Sequence, residues 1–331
     1  MAETVTIHDV AAEAKVSIAT VSRVLNNASS VKDSTRERVV QAMETVGYVR
    51  PEEEPSSASF PSESRTILVM VSHVDNMAVG RQIEGILSSA NYAGYDCVIF
   101  KRKSEVYNLE ELSAIVKNVH AVGLLISWPD VPVDVLNGLN RLCPVVQVNE
   151  YNEACNLPFV SVDDYAMGKT ATNYLLKLGY RKIGIMCGLS RYKYAKDRLR
   201  GYQDALHEAG IEPDPAYNYS FMDLHTRSTA SVVVNSANLP EAIIATSDVL
   251  AAALVNALRA AGKSIPKDMA IVTCEDTELA QYVYPPLTAM SEPIFHIGEA
   301  ACKMLIDILK GNNPSPNQIT LQADLVVRET T

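Results

Sequence analysis

The densest chemistry in the chain lies near its start. Ser17, Thr20 and Ser22 bring hydroxyls and Arg23 a guanidinium into one short run. Hydroxyls bond phosphate oxygens, and an arginine fork matches guanine O6 and N7 in two places at once. Ile18 and Ala19 suit contact with thymine methyls, and Asn26 closes the candidate DNA-reading set. Catalytic patterns do not accompany it. Gly168-Lys169-Thr170 resembles the end of a phosphate-binding loop, but that loop needs glycine where the chain has Asp163. There is no HExxH, GxSxG or GxGxxG, and the six histidines (8, 73, 120, 207, 225, 296) lack metal-ligand spacing. The residues therefore assign no catalysis, no metal and no cofactor.

Three helices must position the DNA-reading set. Ile7, Val10, Ala11 and Ala14, then Val21, Val24 and Leu25, fall at helical three-and-four spacing. Lys15-Val16-Ser17 predicts a tight turn, with Val16 as an apolar plug and Ser17 as N-cap of a helix beginning at Ile18. A third helix is predicted from Asp33-Ser34 to a stop at Gly47, with Val39, Met43 and Val46 on one face. This is helix-turn-helix spacing, with short side chains that let the second helix approach a groove. A three-helix packing module that binds no DNA fits the same spacing. Charge does not decide between them. The whole chain has Lys+Arg 29 against Asp+Glu 39, a net charge of -10. Within residues 1 to 50, Lys15, Arg23, Lys32, Arg36, Arg38 and Arg50 are balanced by Glu3, Asp9, Glu13, Asp33, Glu37 and Glu44. Any basic footprint must therefore come from geometry.

Residues 51 to 64, with Pro51, Pro55, Pro61 and repeated serines around Glu52-Glu53-Glu54, have the composition of a flexible linker. From residue 65 the pattern becomes β-branched runs alternating with amphipathic stretches. Strands are predicted at Thr66 to Ser72, Asp96 to Phe100, Val122 to Ser127, Pro144 to Val148, Phe159 to Val162, Lys182 to Cys187, Ala242 to Thr246 and Ala270 to Cys274. Helices at Ala166 to Leu178, Asp197 to Glu208, Val249 to Ala261 and Ile294 to Leu309 separate many of them. Repeated βαβ units imply an α/β body with parallel sheets. Residues 65 to 331 suit two lobes with a ligand cleft at the strands' carboxyl ends. The 331 residues carry 47% hydrophobic and 21% charged residues, and no apolar stretch approaches the ~18 residues a membrane span needs. The start, Met1-Ala2-Glu3-Thr4-Val5, has neither a basic lead nor an apolar run, and six cysteines show no CxxC pairing. The expectation is a reduced, cytoplasmic protein.

Thr6-Ile7-His8-Asp9-Val10-Ala11, the run Val16 to Asn26, Val31 and Thr35-Arg36-Glu37-Arg38-Val39 resemble the headpiece of the LacI/GalR family of bacterial repressors. The resemblance continues in Gly179-Tyr180-Arg181-Lys182-Ile183-Gly184, Arg198-Leu199-Arg200-Gly201-Tyr202, Ser247-Asp248 and Pro285-Pro286-Leu287-Thr288, and covers essentially the whole chain. Ala14-Lys15-Val16-Ser17, Asn149-Glu150 and Asn173-Tyr174-Leu175 most resemble its cytidine repressor branch.

The resemblance implies a homodimer whose recognition helices read a palindromic double-stranded DNA operator. It implies a small effector, a nucleoside such as cytidine or a sugar, bound between two periplasmic-binding-protein-like lobes. Base-reading positions carry over to Ile18, Ala19 and Arg23. Effector-facing positions carry over to Arg198, Glu275, Asp163, Tyr192, Tyr194 and Phe221, with Trp128 as a stacking platform; Arg198 as an inter-lobe salt bridge is the structural alternative. Residues from Ile67 to Gly94, including Ile83, Ile86 and Leu87, are candidates for the dimer surface or for the core. The chain departs from the family where an alanine- and arginine-containing hinge helix is usual: Pro55 disfavours that helix, and three carboxylates would sit beside phosphates. Independently tethered headpieces, tolerant of half-site spacing and helped by a neighbouring DNA-bound activator, follow as an expectation. Asp75-Asn76-Met77-Ala78-Val79 lacks the family's pocket aromatic, and Glu292 replaces a common glutamine. A solute-binding protein and a cytosolic α/β enzyme remain the rival classes.

Overall fold

The computed structural model describes residues 7–25, 33–46, 48, 64–101, 107–188, 192–220 and 226–331. Contacts divide the chain into two units, Met1–Glu63 and Ser64–Thr331. The linker at 51–63 lies outside the described residues.

In the first unit α1 (Ile7–Glu13), α2 (Ile18–Leu25) and α3 (Asp33–Val46) enclose a small core. Val10, Ala11, Ala14, Val21, Val24, Val39 and Ala42 are buried there, with Val16, Met43 and Val46 packed against them. Alanines where α1 meets its neighbours keep the helices close. The turn closes at Lys15, whose φ of 53° is left-handed, and Val16 N–H donates to the Ala11 carbonyl at 3.1 Å. Ser17 Oγ accepts from Thr20 N–H at 3.2 Å, the N-cap bond its position predicted.

The second unit holds two six-stranded sheets. One contains β1 (Thr66–Val71), β2 (Asp96–Lys101), β3 (Ala121–Ser127), β4 (Val145–Val148), β5 (Phe159–Val162) and β11 (Gln318–Leu321). Its order is β11-β5-β4-β3-β1-β2, and every pairing is parallel. The other contains β6 (Ile183–Cys187), β7 (Asn218–Ser220), β8 (Ala242–Ala245), β9 (Ala270–Thr273), β10 (Thr288–Ser291) and β12 (Asp324–Val326). It runs β12-β10-β9-β8-β6-β7, with β12 antiparallel to β10. The first sheet is flanked by α4 (Met77–Tyr92), α5 (Leu109–Asn118) and α6 (Val133–Asn140). The remaining helices are α7 (Asp164–Lys177), α8 (Lys193–Glu208), α9 (Thr226–Val234), α10 (Asp248–Ala260), α11 (Glu278–Tyr282) and α12 (Ile294–Leu309). Strands such as β4, β5, β6, β8 and β9 are buried along their whole length, so they read as unbroken apolar runs.

The chain passes between the sheets after β5, after β10 and after β11. Two helix pairs, α4 with α12 and α7 with α8, cross at backbone contact. A Cβ on Gly85 would lie 2.1 Å from the Phe295 carbonyl oxygen, and one on Gly298 2.2 Å from that of Gln82. Gly168 and Gly201 do the same for α7 and α8, so the glycine of the apparent phosphate loop serves helix packing.

Several expectations need correction. α8 begins at Lys193, a turn before Asp197, and β7, β10, β11 and β12 join the predicted strands. β7, β11 and β12 have only three or four residues each and β10 reads Thr-Ala-Met-Ser, so none presents an apolar run. β2 is an edge strand with Val98 and Ile99 exposed, where the sequence predicted burial. Ile86 is fully buried in the core and leaves the candidate dimer surface, while Ile83 and Leu87 are half-buried. No described helix is long and apolar enough to cross a membrane.

Candidate functional site

Parallel strands send their carboxyl ends to one side, and those ends build a cavity of about 280 Å³ between the sheets. Ser72 and His73 follow β1, Asn149 and Glu150 follow β4, Thr246 and Ser247 follow β8, Glu275 follows β9 and Glu292 follows β10. Gln82 reaches it from α4, and Tyr192, Tyr194 and Arg198 from the start of α8. Asn149 adopts φ 65°, a left-handed turn that its short amide tolerates, immediately before Glu150.

Arg198 organises the cavity floor. It is 4% exposed, and its fork has three acceptors. Nε donates to Asp164 Oδ1 at 2.8 Å, Nη1 to the Thr246 carbonyl at 3.0 Å, and Nη2 to Glu292 Oε1. The guanidinium thus ties the crossover after β5 to the loop after β8 and the crossover after β10, so cavity lining and inter-lobe salt bridge are one residue's work. Lys193 Nζ holds the other Asp164 oxygen at 2.7 Å. Burial opposes the Arg198 charge, but Asp164 and Glu292 overcome it and hold the group protonated well above its ordinary range.

The carboxyls are shifted upward too, which for them favours the neutral form. Burial, then Asp164, pushes Glu150 up to about 8 against the pull of Lys193 and Arg198. Burial, then Asp248 and Glu292, pushes Glu275 up to about 8. Burial lifts Glu292 to about 7, with Arg198 opposing. The cavity therefore stores proton-binding carboxyls beside a permanent cation. Cys187 and Cys274 lie close by, but burial raises their thiols to about 11 and about 12, away from thiolate chemistry. Among the described residues no group of His, Cys, Asp and Glu is arranged to hold a metal.

Arg198, Glu275, Tyr192 and Tyr194, named from the sequence, come together here; the two tyrosine rings stack with centroids 6.0 Å apart. Two others do not. Asp163 caps α7, accepting from Ala166 N–H at 2.8 Å and from Gln322 Nε2 at 3.4 Å, while the next residue, Asp164, makes the arginine contact. Trp128 is 3% exposed in a core behind β3, against Phe100 and Tyr107 at 6.1 and 5.9 Å between centroids, and offers no platform to a ligand. Phe221 and Asn26 lie outside the described residues. Sequence reasoning missed Glu150, Asn149 and Gln82 as lining residues and noted Glu292 only as a departure. The strand-end rule would have found Asn149-Glu150 directly after β4, whereas Glu292 follows β10, a strand whose Thr-Ala-Met-Ser gave no signal.

In the helical unit, Ile18 stands 40% exposed at the start of α2, an apolar side chain left in solvent. Ser17 and Thr20 bond each other through their hydroxyls at 2.9 Å. Ala19, Ser22 and Arg23 belong to the same helix.

Comparison with known proteins matches residues 6–51 to the model of bacterial regulatory proteins of the lacI family, and residues 172–331 to a periplasmic binding protein-like domain. The HTH-type transcriptional repressor CytR of Escherichia coli (strain K12) is 30% identical over 98% of this chain and 96% of its own. The ribose operon repressor of Bacillus subtilis (strain 168) is 28% identical over 98% of both chains. Among solved structures, the transcriptional regulator CelR in complex with cellobiose superposes with a TM-score of 0.72 at 26% identity, over 99% of this chain and all of that one.

Proposed function

The chain belongs to the LacI family of bacterial regulatory proteins, as a DNA-binding regulator of transcription, and from that membership we propose how it works. It acts in the cytoplasm as a homodimeric repressor. Its α2 helices read the half-sites of a palindromic operator through Ile18, Ala19 and Arg23, with Ser17, Thr20, Ser22 and Asn26 on the backbone. A small effector in the cavity changes operator affinity. The observation that carries this reading is Arg198: the side chain lining the cavity also bridges three segments from both sheets. A ligand that engages it, or its partner Glu292, shifts the balance between lobe arrangements because it interacts differently with each.

The effector is a nucleoside such as cytidine, in line with the CytR relative, or a sugar, in line with the ribose operon and cellobiose relatives. Thermal unfolding with cytidine, other nucleosides, sugars and sugar phosphates tests this. A ligand at ~100 times its Kd adds roughly 2.7 kcal/mol of stability. Selection of bound duplexes from a random library tests the DNA half: an inverted repeat is the expected enrichment, and recovery of unselected sequence would refute it. The linker at 51–64 acts as a tether between headpiece and body at 65–331, and a neighbouring activator assists docking.

A further inference from the structure

Several acceptors lining the cleft are left unpaired. Glu150 Oε2, Gln82 Oε1 and Asn149 Oδ1 are buried with no hydrogen-bond partner among the described residues, and all three residues line the cavity. Glu150 is 9% exposed and Gln82 1%, so bulk water does not serve them. The protein's own cations are engaged elsewhere: Lys193 on Asp164 at 2.7 Å and Asp197 at 3.7 Å, Arg198 on Asp164, Thr246 and Glu292. Carboxyl groups outnumber them. Glu150, Glu275 and Glu292 face the cavity with Asp164 and Asp248 behind; Asp248 accepts from the Thr277 hydroxyl and shares a hydrogen bond with the Glu275 carboxyl. Asp197 is shared with the outer Arg200 at 3.1 Å, and His73, Tyr192 and Tyr194 are further titratable lining groups.

We propose that the cleft takes an effector that carries a protonated nitrogen together with hydroxyls, an amine-bearing sugar or nucleoside, and discriminates against phosphorylated and carboxylated forms. The inference rests on reading this cleft as the effector site. An ammonium brings several donors and one positive charge to the place where unpaired acceptors and ionisable carboxyls are in surplus. A neutral polyol supplies donors but leaves the carboxyl surplus. An anion would have to draw Arg198 away from Asp164 and Glu292, leaving Glu292 buried without its cation and Asp164 with Lys193 alone. Because burial keeps Glu150 and Glu275 up to about 8, a cation bound at pH 7 releases a proton as it enters.

The test uses the full chain, with calorimetric titration and thermal unfolding at pH 7. The probes are two series: glucose, glucosamine, N-acetylglucosamine and glucose 6-phosphate; adenosine, 3′-amino-3′-deoxyadenosine and adenosine 5′-monophosphate. The amine of at least one series is expected to bind about tenfold or more tightly than its neutral parent, as a charge-assisted hydrogen bond provides. Its heat should vary with the ionisation enthalpy of the buffer. Tighter binding of a neutral parent or a phosphate ester overturns the proposal. A second arm needs no ligand: Glu150→Gln and Glu275→Gln, measured empty at pH 9, should each melt higher than the parent. If both melt lower, the fold itself satisfies these carboxylates and the proposal falls whatever the panel shows. If the panel is silent, the ligand class is refuted even where both variants melt higher. An amine that binds without changing operator affinity would refute the effector reading of the cleft while leaving the ligand class intact.

Discussion

Arg198 touches Asp164, Thr246 and Glu292 at once, so its removal acts on stability before it acts on any ligand. Arg198→Met should cost ~3–5 kcal/mol in chemical denaturation, because the buried Glu292 loses its partner and Asp164 keeps only Lys193. A loss below about 1 kcal/mol would mean that water replaces the guanidinium freely. The buried glutamates set a pH dependence of definite sign. Their folded values, about 8 for Glu150 and Glu275 and about 7 for Glu292, exceed the ordinary 4.5, so the folded state holds extra protons between those limits. The stability they contribute is complete below pH 4.5 and is lost as pH rises toward 8. Melting temperature should fall across that window, and the slope should flatten in Glu150→Gln; an unchanged slope would mean that Glu150 does not titrate there. On the DNA side, Arg23→Ala should cost ~1–3 kcal/mol of discrimination at one base pair. An unaltered ratio of cognate to scrambled binding would remove Arg23 from base reading. Residue types alone did not separate Asp163 from Asp164, since at a strand-to-helix turn one carboxylate caps the helix while its neighbour meets the arginine.

At the scale of elements, the helix pairs depend on missing side chains. Gly85→Ala would place a methyl 2.1 Å from the Phe295 carbonyl oxygen on α12. Backbone cannot swing aside as a side chain does, so a cost of ~1–3 kcal/mol or more is expected. Wild-type stability in Gly85→Ala would show that α4 and α12 do not cross so closely. Helix periodicity was legible because each helix has one apolar face. The glycine crossings were not, since nothing in the sequence around Gly168 names the helix it meets. Short strands such as β12 were equally silent: with three residues, their pairing partner and not their composition makes them strands.

In the second unit, the crossings after β5 and β10 put Asp164 and Glu292 at the junction of the sheets, where both meet Arg198. For the linker, Pro55 and Glu52-Glu53-Glu54 predict tethered headpieces. Operators with one or two base pairs added between half-sites should therefore be bound within a few-fold of the parent, measured by direct titration. A steep loss on a single inserted pair would require a rigid hinge instead.

Sequence by itself determined the helical headpiece, the α/β body and the family, because amphipathic spacing, β-branched runs and a dense local motif are properties of neighbouring residues. It also brought Arg198, Glu275, Tyr192 and Tyr194 into view. Only the tertiary structure decided that Trp128 fills a core, that Glu150 and Glu292 face the cavity, and that the acids there outnumber the bases. Those are facts of burial and of contact between segments far apart in the chain, where a carboxyl's environment depends on which strands the fold lays side by side.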